Sequence, residues 1–320
     1  MDPRRRWQTR RPGRIRQTHE RHGAGTRRAR QLNALKAVAA ASSRLATAGV
    51  FFGHGTENSE DEALFLALHA LGWDYDIDET VLHAPLSPGQ LQAIDDIVTE
   101  RIHSRQPAAY ITGYTWFAGH RFTIDSRVLV PRSPIAELIQ ARFQPWLGLR
   151  EPRSALEIGT GSACIALALA LEFPQLQVSA TDIDPDALDV ARQNVLAYGL
   201  GSRVQLHLAD IFPPNEPRFD LIVSNPPYVP SARREQLPEE FLAEPETALF
   251  AGPEGFNCVD RIMRRARRHL NDDGLLVIEV GEIWPRFAER YARLEPMWPE
   301  FARGGEGIAI IEAGALDRLS

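Results

Sequence analysis

Residues 220–230 read DLIVSNPPYVP. An apolar run of strand type, Leu221-Ile222-Val223, stops on Asn225, Pro226, Pro227 and Tyr228. Two adjacent prolines cannot donate to a sheet, so the strand must end there. Each proline also pushes the residue before it into extended geometry. The segment therefore offers carbonyl oxygens and an aromatic ring at one point, and few donors. That suits a planar partner that donates, such as an –NH2 on an sp² carbon. Taken alone, the tetrapeptide also fits an ordinary Pro-rich turn after a strand.

Three other stretches carry residues of comparable interest. In ALEIGTGSACIALALA (155–170) a strand runs through a Gly-rich turn, Gly159-Thr160-Gly161-Ser162, into a helix. Glycines there let backbone approach a ligand closely at the helix N-terminus. A dinucleotide fingerprint would need glycine where Cys164 stands. The pattern acid-x-G-x-G-x-G/A fits Glu157, Gly159, Gly161 and Ala163 instead, and suits a ligand without a pyrophosphate, whose carboxylate and amine meet the turn. G-x-S-x-G does not occur around Ser162, which excludes a nucleophile elbow. In ATDID, Asp182 lies 25 residues past Glu157, the usual distance for an acid that accepts from ribose hydroxyls. In HLADIF, Asp210 can accept from an adenine amino group, with Ile211 or Phe212 covering the ring.

These residues need a frame that brings strand ends together. From about residue 154 the chain alternates strand and helix. Strands are expected at 155–158, 178–181, 204–208, 221–223, 275–280 and 308–311, and helices at 164–172, 185–198, 258–270 and 285–294. Asp184-Pro185 supplies a cap and a first helical residue. Repeated βα units imply an α/β fold with a mostly parallel sheet, which binds ligands at the carboxyl ends of its strands. Upstream, 31–48, the DEALFLALHALGW segment and Ser87–Gln106 read as helices, with Ser87 as N-cap and Pro88 at the first position. WFAGHRFTIDSRVLVPR alternates around Gly119 as a hairpin. The expected organisation is a disordered basic extension over 1–30, a helical substrate-side domain over 31–112, a β-hairpin connector over 113–134, and a catalytic domain over 135–320.

Composition narrows the classes. No apolar run approaches a membrane span of about 18–20 residues. Cys164 and Cys258 are far apart, which points to a reducing cytosol and away from a disulfide scaffold. The nine histidines show no metal-ligand spacing, so no metal is expected. Residues 1–30 carry 11 Arg against Asp2 and Glu20, a charge of +9, while the whole chain stands at −6, so the body carries −15. A body this acidic is a poor non-specific binder of nucleic acid. For the basic start, an extension without structure, contact with RNA and a transit peptide are the three readings. The acidic run REQLPEEFLAEPE after the Asn225 loop could face a basic substrate or plain solvent. Arg261, Arg264, Arg265 and Arg268 share a helix face, either solvated or in contact with ribosomal RNA.

The strand-end residues together resemble the class I S-adenosylmethionine-dependent methyltransferases, and within them the glutamine amide methyltransferases that modify translation proteins. The resemblance covers about residues 60–313. The Asn-Pro-Pro-Tyr loop and EPETALFAGPEG (244–255) are its most specific marks. LVPRSPIAELI (129–139) and GGEGIAII (304–311) are similar to the branch that methylates the third large-subunit ribosomal protein. The release-factor branch has Pro-Arg-Pro-x-Thr-Glu where this chain has Pro131-Arg132-Ser133-Pro134-Ile135-Ala136. Two departures stand out: Glu157 where Asp is common, and Ala163 in place of a glycine. The resemblance implies that S-adenosylmethionine is held by Glu157, Gly159, Thr160, Gly161, Ser162, Asp182, Asp210, Ile211 and Asn225. It implies that Asn225 and the Pro226 carbonyl accept the N–H groups of a glutamine amide, with Pro227 and Tyr228 shaping the site and Tyr228 packing on the amide. The implied substrate is the unassembled third large-subunit ribosomal protein, or alternatively a class 1 release factor, with no membrane and no nucleic acid required. An adenine amino methyltransferase would share the tetrapeptide, but an acidic body and a small helical accessory domain argue against it. A non-catalytic cofactor-binding or ribosome-assembly factor is the remaining class, and the intact loop argues against that.

Overall fold

The computed structural model describes residues 32–215, 217–302 and 304–319. The basic extension over 1–30 lies outside the described residues.

Helices α1 (Ala34–Thr47), α2 (Ser59–Leu71), α3 (Glu79–Leu82), α4 (Pro88–Ser104) and α5 (Ala108–Thr112) come first. Their starts follow from capping chemistry. Asn33 accepts from the Lys36 N–H, Asn58 from Glu60 and Asp61, and Ser87 forms a reciprocal capping box with Gln90. α1, α2 and α4 pack around Leu45, Phe65, Leu66, Ile94 and Val98. The hairpin β1 (Tyr114–Phe117) and β2 (His120–Thr123) turns on Ala118 and Gly119, both at positive φ.

After α6 (Ile135–Gln140) the α/β region begins: β3 (Ser154–Ile158), α7 (Cys164–Glu172), β4 (Gln177–Asp182), α8 (Pro185–Ala197), β5 (Val204–Leu208) and β6 (Phe219–Ser224). It continues with α9 (Glu246–Leu249), α10 (Asn257–Ala266), β7 (Leu270–Glu279), α11 (Trp284–Arg290), β8 (Ile308–Glu312) and α12 (Ala313–Leu316). The sheet order is β5-β4-β3-β6-β7-β8, parallel except for β8. Both faces are covered. Residues of α6, α7 and α8 fill one core with Ala155, Val178, Val223 and Val277. Those of α10, α11 and α12 fill the other with Leu156, Ile222, Leu276 and Ile278. The chain order reverses between β3 and β6, so the crevice at their carboxyl ends is the place where such a sheet takes a ligand. Among the described residues no helix is long and apolar enough to cross a membrane.

The helical segment is tied to the sheet region by buried charge. Arg101 is fully buried; its Nε donates to Glu62 Oε1 at 2.8 Å, its Nη1 to Glu240 Oε1 at 3.3 Å and its Nη2 to the Phe51 carbonyl at 2.9 Å. Glu244 is also buried and takes both Nη groups of Arg132, at 2.6 and 2.8 Å, with His54 Nε2 at 3.4 Å. The expectation for the acidic run is therefore corrected at these two positions. Glu240 and Glu244 face neither a basic substrate nor solvent, because arginines of the same chain neutralise them inside the molecule.

Candidate active site

A cavity opens at the β3/β6 switch point. Glu157, Gly159, Thr160, Gly161, Ser162, Asp182, Asp210, Ile211, Asn225 and Pro227 line it. Pro226 and Tyr228 are not among its lining residues. The structure thus brings four strand ends and one proline loop to a single crevice.

The Gly-rich turn leaves β3 with Gly159 at φ +72° and Gly161 at φ +52°. Ala163, which stands where a glycine is usual in the family it resembles, is also left-handed at φ +62°. An L side chain there strains the backbone by roughly 1–2 kcal/mol. Glu157 is buried beneath the turn. Its Oε2 accepts from the Thr160 hydroxyl and, at 3.0 Å, from the Ala166 N–H in the first turn of α7. Burial pushes this carboxyl up to about 8, against the pull of those two bonds. Both bonds fall on one oxygen, so Oε1 remains for a ligand. Ser162 Oγ is buried with no nitrogen or oxygen partner among the described residues, close to the Cys164 thiol.

Asp182 ends β4. Its Oδ2 accepts from the Gly161 N–H at 2.9 Å and its Oδ1 from the Asp184 N–H at 3.0 Å, which fastens the second strand end to the turn. Burial raises its carboxyl, opposed by these backbone bonds. Asp210 is half exposed and paired with Arg261. That pairing occupies one member of the arginine face on α10, and Arg265 lies 4.9 Å over the Phe212 ring. Of the two candidates to cover an adenine, Ile211 lines the cavity, whereas Phe212 stacks on His269 in the core at 4.1 Å. Ile211 sits at φ +76°, a left-handed residue in the loop that follows β5.

Asn225 follows Ser224, whose hydroxyl donates to the Ile158 carbonyl at 2.9 Å and clamps the end of β6 to that of β3. Among the described residues nothing bonds the Asn225 amide. The backbone beyond it is pinned to the segment 249–252: Val229 donates to Leu249 O, and Ala251 to Val229 O, at 2.9 and 3.0 Å. Gly255 is obligatory beside it, since a Cβ there would lie 2.2 Å from the Tyr228 carbonyl oxygen.

Sequence reasoning missed several residues of the site. Arg127, Val128, Leu129, Pro131, Arg132 and Ser133 line the cavity on one side, with Pro245, Thr247 and Ala248 also present. Asn194 of α8, fully buried, donates to the carbonyls of Ser162 and Thr123 and accepts from the Thr123 N–H, each at 2.9 Å. It joins the hairpin to the Gly-rich turn. Its only sequence signal was a polar residue on the apolar face of a helix. Among the described residues no cluster of three or more His, Cys, Asp or Glu could hold a metal ion.

The profile described as "Methyltransferase small domain" matches residues 143–255, and that described as "PrmC N-terminal domain" matches residues 36–113. The chain is similar to the ribosomal protein uL3 glutamine methyltransferase of Bordetella pertussis, 42% identical over 275 residues, which are 85% of this chain and 92% of the relative. The corresponding protein of Xylella fastidiosa is 43% identical over 276 residues, 86% and 88% of the two chains. That of Burkholderia pseudomallei is 40% identical over 291 residues, 88% and 94%. Identity of 40–43% over at least 85% of this chain shows the family, and the chain belongs to the ribosomal protein uL3 glutamine methyltransferase family, enzymes of the class I S-adenosylmethionine-dependent fold.

Proposed function

We propose that this chain methylates a glutamine side-chain amide in ribosomal protein uL3, before that protein is assembled, and does so through Asn225. The observation that carries this reading is the Asn225 amide, which has no partner among the described residues yet is held at the cavity beside the Gly-rich turn. The chain's membership of the family supplies the substrate class.

S-adenosylmethionine supplies a sulfonium-bound methyl group. The cavity suits it. Glu157 Oε1 and Ser162 Oγ offer acceptors to an ammonium, and Asp182 keeps lone pairs for ribose hydroxyls. Among the described residues the Ser162 N–H is the turn donor left for a carboxylate, since those of Gly159, Thr160, Gly161 and Ala163 bond within the chain. Asp210 and Ile211 stand where an adenine would lie. An amide nitrogen is a poor nucleophile because its lone pair is delocalised into the carbonyl. Asn225 Oδ1 and the Pro226 carbonyl accept both N–H groups of the substrate amide, orient its nitrogen and help localise that lone pair. The acceleration comes from proximity and fixed dipoles, with no strong base required. Residues 127–133 and 245–248 flank the approach, so the glutamine must arrive on a flexible loop.

The test is a competition among free uL3, uL3 within large ribosomal subunits and a class 1 release factor, at equal concentration with labelled S-adenosylmethionine, read by mass spectrometry. Glutamine labelling should be fastest on free uL3. Faster labelling of the release factor, or of assembled subunits, would overturn the assignment of substrate or of its state.

A further inference from the structure

Two residues outside the tetrapeptide, Glu279 and the cavity-lining Ser133, hold Tyr228. Its hydroxyl donates to Glu279 Oε1 at 3.0 Å. Glu279 Oε2 in turn accepts from the Ser133 hydroxyl, and Ser133 Oγ accepts from the Ile135 N–H at 3.1 Å. Both Ser133 and Glu279 are buried. The strands explain why these groups meet. β6 and β7 run parallel with Ser224 opposite Ile278, so Glu279 leaves its strand level with Asn225.

Packing confines the ring as tightly as the bonds confine its hydroxyl. A Cβ on Gly281 would lie 2.4 Å from Tyr228 Cε2 and 2.6 Å from Cζ. Gly307 lies against Gly281, where its own Cβ would be 2.4 Å from the Gly281 carbonyl oxygen, and a Cβ on Gly305 would be 2.5 Å from Pro134 Cγ. The VPRSP segment and the GGEG turn, far apart in the chain, therefore form one support under Tyr228.

We propose that Glu279 is a positioning residue for the methyl transfer: bridged to Ser133, it fixes the Tyr228 ring, and through it the Asn225–Pro227 backbone that receives the substrate amide. This rests on the glutamine methyltransferase reading. Burial pushes the Glu279 carboxyl up, against the pull of its bonds to Ser133 and Tyr228 and of Arg132. Glutamine, of the same shape, keeps one acceptor for Tyr228 and places one donor toward Ser133 Oγ once the Ser133 hydroxyl, which donates to Glu279 in the native chain, turns away.

The experiment compares Glu279→Ala, Glu279→Gln, Tyr228→Phe and the double variant Glu279→Ala/Tyr228→Phe with the unchanged full-length chain. The readouts are kcat on free uL3 and the dissociation constant of S-adenosylhomocysteine by calorimetry. Glu279→Ala and Tyr228→Phe should each lower kcat by about 10-fold or more while leaving that dissociation constant within about twofold, because the lost contact orients substrate alone. Glu279→Gln should keep kcat within about threefold, and the double variant should be no more than about threefold slower than the slower single one, as expected of residues acting as a unit. Should Glu279→Ala not fold, Ser133→Ala in the native and Tyr228→Phe backgrounds gives the same cycle: kcat falls in the first and not in the second. Multiplicative losses, or a Glu279→Ala kcat within about twofold of native, would overturn the inference alone. No glutamine methylation by the unchanged chain would overturn the functional reading, and the inference with it.

Discussion

At Asp182 both carboxylate oxygens already accept a backbone N–H, which aims the remaining lone pairs into the cavity. A hydrogen bond to a charged acceptor contributes roughly 1.5–3 kcal/mol, so Asp182→Ala should weaken cofactor binding about 10- to 150-fold. Titration calorimetry with S-adenosylhomocysteine measures this, and unchanged affinity would remove Asp182 from the site. Asn225 makes the opposite prediction. Its amide bonds nothing among the described residues, so Asn225→Ala should leave cofactor affinity nearly intact. Loss of one preorganised contact to a reacting group costs about 10²–10³ in turnover. Turnover within threefold of native would show that the amide is oriented elsewhere.

Among the elements, the helical segment and the post-Asn225 loop depend on one another. Among the described residues Arg101 on α4 is the one arginine bonded to Glu62, and it shares Glu240 with Arg105. Both glutamates are buried. Burial pushes the Glu62 carboxyl up even against Arg101, a sign of how much desolvation the pair carries. Removing one partner of a buried pair typically costs about 3–5 kcal/mol, because the other charge is left uncompensated. Arg101→Met should therefore lower stability by about that amount in urea unfolding, and should lower turnover as well, since residues 240–248 run directly to the cavity. A loss below about 1 kcal/mol would mean that water or Arg105 compensates the glutamates.

For the whole molecule these buried acids set the pH profile. Glu157 is pushed up to about 8, and burial raises Asp182, Glu62 and Glu279 in the same direction. Between the ordinary carboxylate range and about 8, the folded chain holds protons that the unfolded chain has released. Stability of the cofactor-free protein should thus fall as pH rises through that window. Glu244 has the opposite sign. Arg132 and His54 hold it down at about 2 despite its burial, so its contribution is present above the ordinary carboxylate range and is lost as pH falls toward 2. Melting temperature against pH should show both limbs. Glu157→Gln should flatten the upper limb and Glu244→Gln the lower one; a profile unaltered by either substitution would contradict the assignment.

What the sequence by itself determined is local. The apolar runs that became β3 to β8, the caps at Ser87 and Asp184, and the hairpin on Gly119 depend on periodicity and capping within a few residues. The order of strand ends, with Glu157, Asp182, Asp210 and Asn225 falling at successive termini, follows from those same runs once the sheet is parallel. The tertiary structure alone decided which polar residues turn inward. Glu240 and Glu244 carry the same letters as their exposed neighbours Glu235 and Glu239, and only the arrival of Arg101, 139 residues away, and of Arg132, 112 residues away, makes them interior. Phe212 could not be told from Ile211, because both are apolar and adjacent, and only the stacking of Phe212 on the distant His269 leaves Ile211 to line the cavity. Ser133, 146 residues from Glu279, had no periodic partner in the chain. Such contacts have no sequence period; they exist because the packed sheet and its loops leave a buried acceptor only where a distant donor can reach it.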